Sequence, residues 1–191
     1  MRIALYGGTF DPIHHGHLIL AREALEQLRL DRIVFVPAAC SPFKPGVESA
    51  PATVRLAMLR AAIDGEERFE VDDSELTRGG TSYTIDTVLA ARERWPGAEL
   101  FWFIGGDHVG ELRRWRESER LRTLVQFIVF SRSAEAGGSD PGHGFPTIAR
   151  RIDISATEIR ARVAQGLSLR YLVPEPVSAL IEQHRLYRNP T

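Results

Sequence analysis

One cysteine, Cys40, is all the chain holds in 191 residues, so neither a disulfide framework nor a cysteine-rich zinc site can form. Lysine is equally scarce: Lys44 is the single one among 24 basic residues. Charge of one sign is missing too. The 24 basic side chains face 25 acidic ones, a net of −1, which gives no global positive field to release counterions from DNA or RNA. A nucleic acid polymer is therefore not an expected partner, while a small local phosphate site stays open. No apolar run nears the ~18 residues that span a bilayer. The longest blocks, such as residues 100–104, have strand length. The N-terminal Arg2-Ile-Ala-Leu-Tyr6 is too short for a signal h-region. The expectations are a cytoplasmic location and no membrane partner; a homo-oligomer stays open.

What is present alternates short apolar runs with longer helical ones. Strands are expected at 3–6, 32–36, 69–71, 100–104, 126–130 and 148–154. Helices are expected at 16–29, where Leu18, Ala21, Ala24, Leu25 and Leu28 form a stripe, and at 52–64, 83–95, 156–165 and 176–184. A helical stretch runs on to about 124, a polar loop passes through Gly79-Gly80, and residues 133–145 read as a loop. Nearly all-apolar strands between helices predict an α/β fold: a Rossmann-like doubly wound parallel sheet with helices on both faces. One domain over residues 1–191 is expected, its C-terminal helical portion starting at about 155. Ligands in such sheets bind beyond the carboxyl ends of the strands, which singles out the loops at 7–17, 37–44, 105–108 and 153–157.

The first of these loops reads Gly7-Gly8-Thr9-Phe10-Asp11-Pro12-Ile13-His14-His15-Gly16-His17. A glycine pair lets backbone amides approach a phosphate closely. Neither G-x-x-x-x-G-K-[S/T] nor G-x-G-x-x-G follows the first strand. Histidines stand there instead, and a helix starting near His14 puts His14 and His17 on one side. Two imidazole donors at a helix N-terminus suit a phosphoryl group. A histidine metal site with Asp11, or a solvated helix start, are the competing readings. The segment Asp153-Ile154-Ser155-Ala156-Thr157-Glu158-Ile159-Arg160 contains a capping box, Ser155 with Glu158, ahead of an amphipathic helix. Ser155, Thr157 and Arg160 also gather hydroxyls, amides and a guanidinium at one helix start, where a second phosphate would fit. Asp107 follows a strand and Gly105-Gly106; it either caps a helix or accepts from a ribose. Trp115 is core or a stacking platform. Ser82-Tyr83-Thr84 opens a helix, and Lys44 sits in a proline-rich loop.

Together, Gly7-Gly8-Thr9-Phe10-Asp11-Pro12, His14-x-Gly16-His17 and Ile154-Ser155-x-Thr157-x-Ile159-Arg160 resemble the nucleotidyltransferase superfamily that carries H-x-G-H and I-S-x-T-x-[I/V]-R. Ser82-Tyr83-Thr84, Ile104-Gly105-x-Asp107 with Leu112 and Trp115, and Leu172-x-Pro174-x-Pro176-Val177 ending in Leu186-Tyr187-Arg188 resemble its bacterial nicotinate-nucleotide adenylyltransferases in particular. The resemblance implies adenylyl transfer from ATP to nicotinate mononucleotide, giving nicotinate adenine dinucleotide and pyrophosphate in NAD biosynthesis, with Mg2+ carried in by ATP and no metal held by the protein. It implies catalytic roles for His14, His17 and Arg160. ATP would be held by Gly7, Gly8, Thr9, Phe10, His14, His17, Asp107, Ile154, Ser155, Thr157 and Arg160. The mononucleotide would be held by Lys44, Ser82, Tyr83, Thr84 and Trp115, with Arg116 adding positive potential beside Trp115. Where the family usually carries asparagine near position 39 and histidine at 43, this chain has Ala39 and Phe43. The alternatives are another nucleotidyltransferase of the superfamily, acting on nicotinamide mononucleotide or phosphopantetheine, and a non-catalytic nucleotide-binding protein on this fold.

Overall fold

A computed structural model describes residues 1–40, 49–131 and 144–188. Its strands are β1 (Arg2–Gly8), β2 (Arg32–Pro37), β3 (Phe69–Val71), β4 (Glu99–Gly105), β5 (Gln126–Ser131) and β6 (Thr147–Ala149). Its helices are α1 (His15–Gln27), α2 (Ala52–Ile63), α3 (Ser74–Arg78), α4 (Thr84–Arg94), α5 (Ser118–Leu124), α6 (Ala156–Ala164) and α7 (Glu175–Gln183). A 3-10 helix spans Gly106–Arg114. The sheet is parallel at every pairing, in the order β3-β2-β1-β4-β5-β6. This is the doubly wound arrangement the apolar strands called for.

Alternation along each strand divides the core. Ala4, Tyr6, Ile33, Phe35, Phe101 and Phe103 face one side and pack with α1, α2, α6 and α7. Ile3, Leu5, Val34, Val36, Leu100 and Trp102 face the other and pack with α4, α5 and the 3-10 helix. A parallel strand must be apolar on both faces for this reason. The order reverses between β1 and β4, so loops leaving their carboxyl ends diverge and open a crevice there. No helix among the described residues is long and apolar enough to cross a membrane.

Three elements depart from the sequence expectation. The stretch before Gly79 is not all loop: α3 forms there, and the Asp72 carboxylate accepts from the Ser74 amide at 2.9 Å where the chain turns into it. The helical stretch to 124 breaks in two at Glu117, whose φ of 52° no helix accommodates. The last strand ends at Ala149 rather than 154. Beyond Arg150 the chain leaves the sheet and crosses toward α1, and this brings the Ile154 carbonyl beside Gly16.

Candidate active site

Sterics dictate the glycines at this edge. A Cβ on Gly7 would lie 2.5 Å from Cζ2 of Trp102, and one on Gly8 would lie 3.0 Å from Cζ of Phe10. One on Gly16 would meet His14 Nδ1 at 2.9 Å and the Ile154 carbonyl at 3.4 Å. The sequence rationale for the first pair was close approach to a phosphate; the structure adds a packing demand that operates before any ligand arrives. The Phe10 ring is 3% exposed, packs edge-on against Tyr6 and His17 at 5.5 and 5.2 Å, and so buttresses the histidine from within rather than lining either cavity described below.

His14 is the residue before α1 and His17 is in its first turn. Their rings stack at 3.7 Å between centroids, 28° from parallel. The His14 amide donates to His17 Nδ1 at 3.3 Å. That bond makes Nδ1 the acceptor, so the neutral ring carries its proton on Nε2. Burial, and then the neighbouring His15, lower the His14 pKa to about 4. Burial, and then His14, hold His17 well below the usual histidine value. Both imidazoles are therefore neutral N–H donors at pH 7 in the free protein. The consequence for stability has a definite sign. Between the unfolded value near 6.5 and about 4, the unfolded chain binds protons at these positions and the native chain does not, so stability falls as pH drops through that window. Thermal melts from pH 7 to 4 should show the decline, and His14→Asn should make it shallower, His17 supplying the remainder. An unchanged slope would contradict the assignment.

The histidines line a cleft of about 710 Å³ together with Gly7, Asp107, Ile154, Ser155, Thr157 and Arg160. The Ser155 hydroxyl accepts from the Glu158 amide at 3.1 Å, the expected cap of α6. Arg160 donates from Nη1 to the Asp11 carbonyl at 2.8 Å and from Nη2 to Thr157 Oγ1 at 3.3 Å. Asp107 is exposed at the start of the 3-10 helix. A larger cavity of about 1030 Å³ lies between α6 and α7 near Tyr171 and contains none of these residues.

A second cavity, about 240 Å³, shares Gly7, Phe103, Ile104, Gly105 and His108 with the cleft, so the two meet where β1 and β4 end. Gly8, Thr9, Ser82, Thr84, Trp102 and Trp115 also line it. Thr9, which the sequence grouped with His14 and His17, thus lines the smaller cavity. Tyr83 and Arg116 line neither: the Arg116 guanidinium lies 4.8 Å over the Tyr83 ring and 3.8 Å from the Asp86 carboxylate. The Ser82 hydroxyl accepts from the Ala39 amide at 3.0 Å, which ties the exit of β2 to the start of α4 and occupies the oxygen in the fold. Lys44 lies outside the described residues.

A cytidylyltransferase-like family matches residues 5–162. A probable nicotinate-nucleotide adenylyltransferase of Opitutus terrae is 47% identical over 98% of both chains. One from Thermus thermophilus is 44% identical over 98% of this chain and all of that one. The chain belongs to the cytidylyltransferase-like family, among its nicotinate-nucleotide adenylyltransferases. Among solved structures, the fold matches nicotinic acid mononucleotide adenylyltransferase of Plasmodium falciparum complexed with NaAD, with a TM-score of 0.76, 19% identity and 97% of each chain covered.

Within this family member, several residues at the site carried no legible mark in the sequence. Arg55 is 1% exposed, and its guanidinium donates to the carbonyls of Thr9, Ala38 and Ala50 at 2.6, 2.9 and 3.1 Å. It gathers the exits of β1 and β2 and the approach to α2. Arg150 lines the larger cleft, ion-paired with Glu23. Glu75 is 3% exposed and lines the smaller cavity, hydrogen-bonded to the hydroxyls of Thr87 and Ser82. Burial raises its pKa despite those bonds. The i, i+3 and capping patterns could not reveal these residues, because their partners are carbonyls, hydroxyls and, for Arg150, a carboxylate on other elements of the fold.

Proposed function

We propose that the protein transfers the adenylyl group of ATP to nicotinate mononucleotide, forming nicotinate adenine dinucleotide and pyrophosphate. The observation that carries this reading is the joining of two cavities at the ends of β1 and β4, one lined by His14, His17, Ser155, Thr157 and Arg160, the other by Thr84 and Trp115. A dinucleotide needs two such compartments that meet. An oxygen of the mononucleotide 5′-phosphate attacks the α-phosphorus of ATP, the bond from that phosphorus to the β-bridging oxygen breaks, and the electron pair leaves on pyrophosphate. The nucleophile is already an anion, so no strong base is required. The residues must align it and stabilise charge on the leaving group.

In this reading His14 and His17 donate to the phosphates from neutral rings. The α6 N-terminus, with Ser155, Thr157 and Arg160, holds the β- and γ-phosphates. Asp107 accepts from the adenosine ribose, and the backbone at Gly7, Gly8 and Ile154 flanks the nucleotide. Magnesium enters with ATP: Asp107 is the one carboxylate among the described lining residues of the cleft, too few ligands for a protein-held ion, which would be coordinated by phosphate oxygens and water.

The mononucleotide's pyridine ring stacks on Trp115, and its carboxylate faces the first amides of α4 at Thr84, which helix geometry leaves without intrahelical acceptors. Glu75 stands in the same wall. The Glu75 oxygens are committed to Thr87 and Ser82, and burial opposes its charge, so it presents little repulsion. An amide would leave donors unpaired at about 1–3 kcal/mol per group. Nicotinate mononucleotide should therefore be used at least about tenfold more efficiently than nicotinamide mononucleotide. Competition between the two, with both dinucleotides quantified by chromatography, tests this. Equal products would overturn the pocket assignment. Failure to release pyrophosphate with any mononucleotide would favour a nucleotide-binding protein without catalysis.

A further inference from the structure

Leu186 and Tyr187 line neither the histidine cleft nor the smaller cavity. Leu186 is buried in the core beside α7, but Tyr187 has a backbone φ of 59°, in the left-handed region that a bulky residue seldom adopts. Contacts hold it there. Its ring packs against the core on the α1 side of the sheet, and its hydroxyl donates to Asp11 Oδ1 at 2.6 Å across 176 positions of sequence. The same carboxylate oxygen accepts from the Ala50 amide at 3.2 Å, and Asp11 is only 7% exposed. Burial, then the Asp11 carboxylate, raise the phenol above its usual value, so it stays a donor at any working pH.

The backbone of Asp11 meets a residue of the cleft, Arg160. The Asp11 carbonyl accepts from Arg160 Nη1 at 2.8 Å, while Arg160 Nη2 reaches Thr157 Oγ1. A guanidinium has five N–H donors, so these two bonds fix its plane and leave others for a phosphate. A free arginine side chain would have to be ordered when ATP binds; one already held has that cost removed beforehand. The Asp11 peptide thus joins an anchor at residue 187 to the cation at residue 160.

We infer that Tyr187 is a positioning residue for adenylyl transfer: by fixing the Asp11 side chain it fixes the Asp11 carbonyl, and through it the guanidinium of Arg160 at the ATP phosphates. This rests on the reading of the larger cleft as the ATP site. Tyr187→Phe removes one oxygen and keeps the ring in its packing. The test compares the wild-type protein, Tyr187→Phe, Arg160→Ala and the double variant, by steady-state kinetics and by calorimetric titration with ATP alone. Tyr187→Phe should lower kcat/KM for ATP by about five- to tenfold, the scale of one lost hydrogen bond, and leave KM for the mononucleotide within about twofold. On the Arg160→Ala background it should change little further, because its route to the reaction has already been removed. A merely structural tyrosine would weaken both substrates and multiply the Arg160→Ala defect, and that result overturns the inference. Should no mononucleotide support turnover in any variant, the catalytic reading fails by itself. The titration still decides the linkage: ATP weakened by Tyr187→Phe only when Arg160 is present supports it, and equal weakening in both backgrounds, or none, overturns it.

Discussion

Replacing His17 with alanine should lower kcat by about 10²–10³-fold, the usual cost of removing one preorganised donor from a developing charge, while the protein stays folded. The argument begins at the α1 start. The His14 amide bonds to His17 Nδ1, which leaves Nε2–H as the one donor of a ring that lines the larger cleft. Phe10 and Tyr6 meet that ring edge-on at 5.2 and 5.9 Å, which sets its direction without consuming the N–H. His17 is half-buried, so truncation leaves a surface notch and not a core cavity. It also strips the His14 amide of its acceptor, at a cost of ~1 kcal/mol at a helix start. The expected pattern is a small fall in melting temperature beside a large fall in kcat. Near-wild-type turnover would remove His17 from the mechanism.

Arg55→Leu should act in the opposite way, on stability first. Leucine fits the apolar stem but leaves the carbonyls of Thr9, Ala38 and Ala50 without their donor. Each buried acceptor left unmade costs about 1–3 kcal/mol, so the loss should reach at least about 3 kcal/mol. At about 2–4 °C per kcal/mol for a chain of this size, the melting temperature should fall by roughly 6–12 °C. Arg55→Lys should rescue little, since a single ammonium cannot reproduce a planar fork aimed at separate loops. Scanning calorimetry on the three proteins checks both statements. A melting temperature within about 2 °C of wild type for the leucine variant would mean that water replaces the guanidinium at those carbonyls.

What could be read beforehand divides along physical lines. Strands buried on both faces are apolar throughout, so β1, β2, β4 and β5 stand out as runs, and β3 falls at the expected residues. Helix periodicity set α1, α2 and α4 to within a residue or two. The last strand was read too long because Arg151-Ile152-Asp153-Ile154 still alternates polar with apolar, while beyond Ala149 the chain leaves the sheet toward α1. At the site, His14, His17, Ser155, Thr157 and Arg160 were legible because their spacing belongs to helix starts, and the structure places all of them on one cleft. Adjacency in sequence to Trp115 says nothing about direction: the Arg116 guanidinium turns to Tyr83 and Asp86 and lines neither cavity. Arg55, Glu75 and Tyr187 were invisible as site residues. A buried arginine in Val54-Arg55-Leu56 looks like any helical arginine until the loops it holds are folded around it.

The most direct test of adenylyl transfer is a mass balance: purified protein with ATP, magnesium and nicotinate mononucleotide, every phosphorus-containing product followed by phosphorus NMR. The account predicts that ATP disappears with equal appearance of pyrophosphate and a dinucleotide diphosphate bridge, with no ADP or orthophosphate. Formation of ADP, or of pyrophosphate without the bridge, would contradict it, because the chemistry would then lie at a different phosphorus or with a different acceptor.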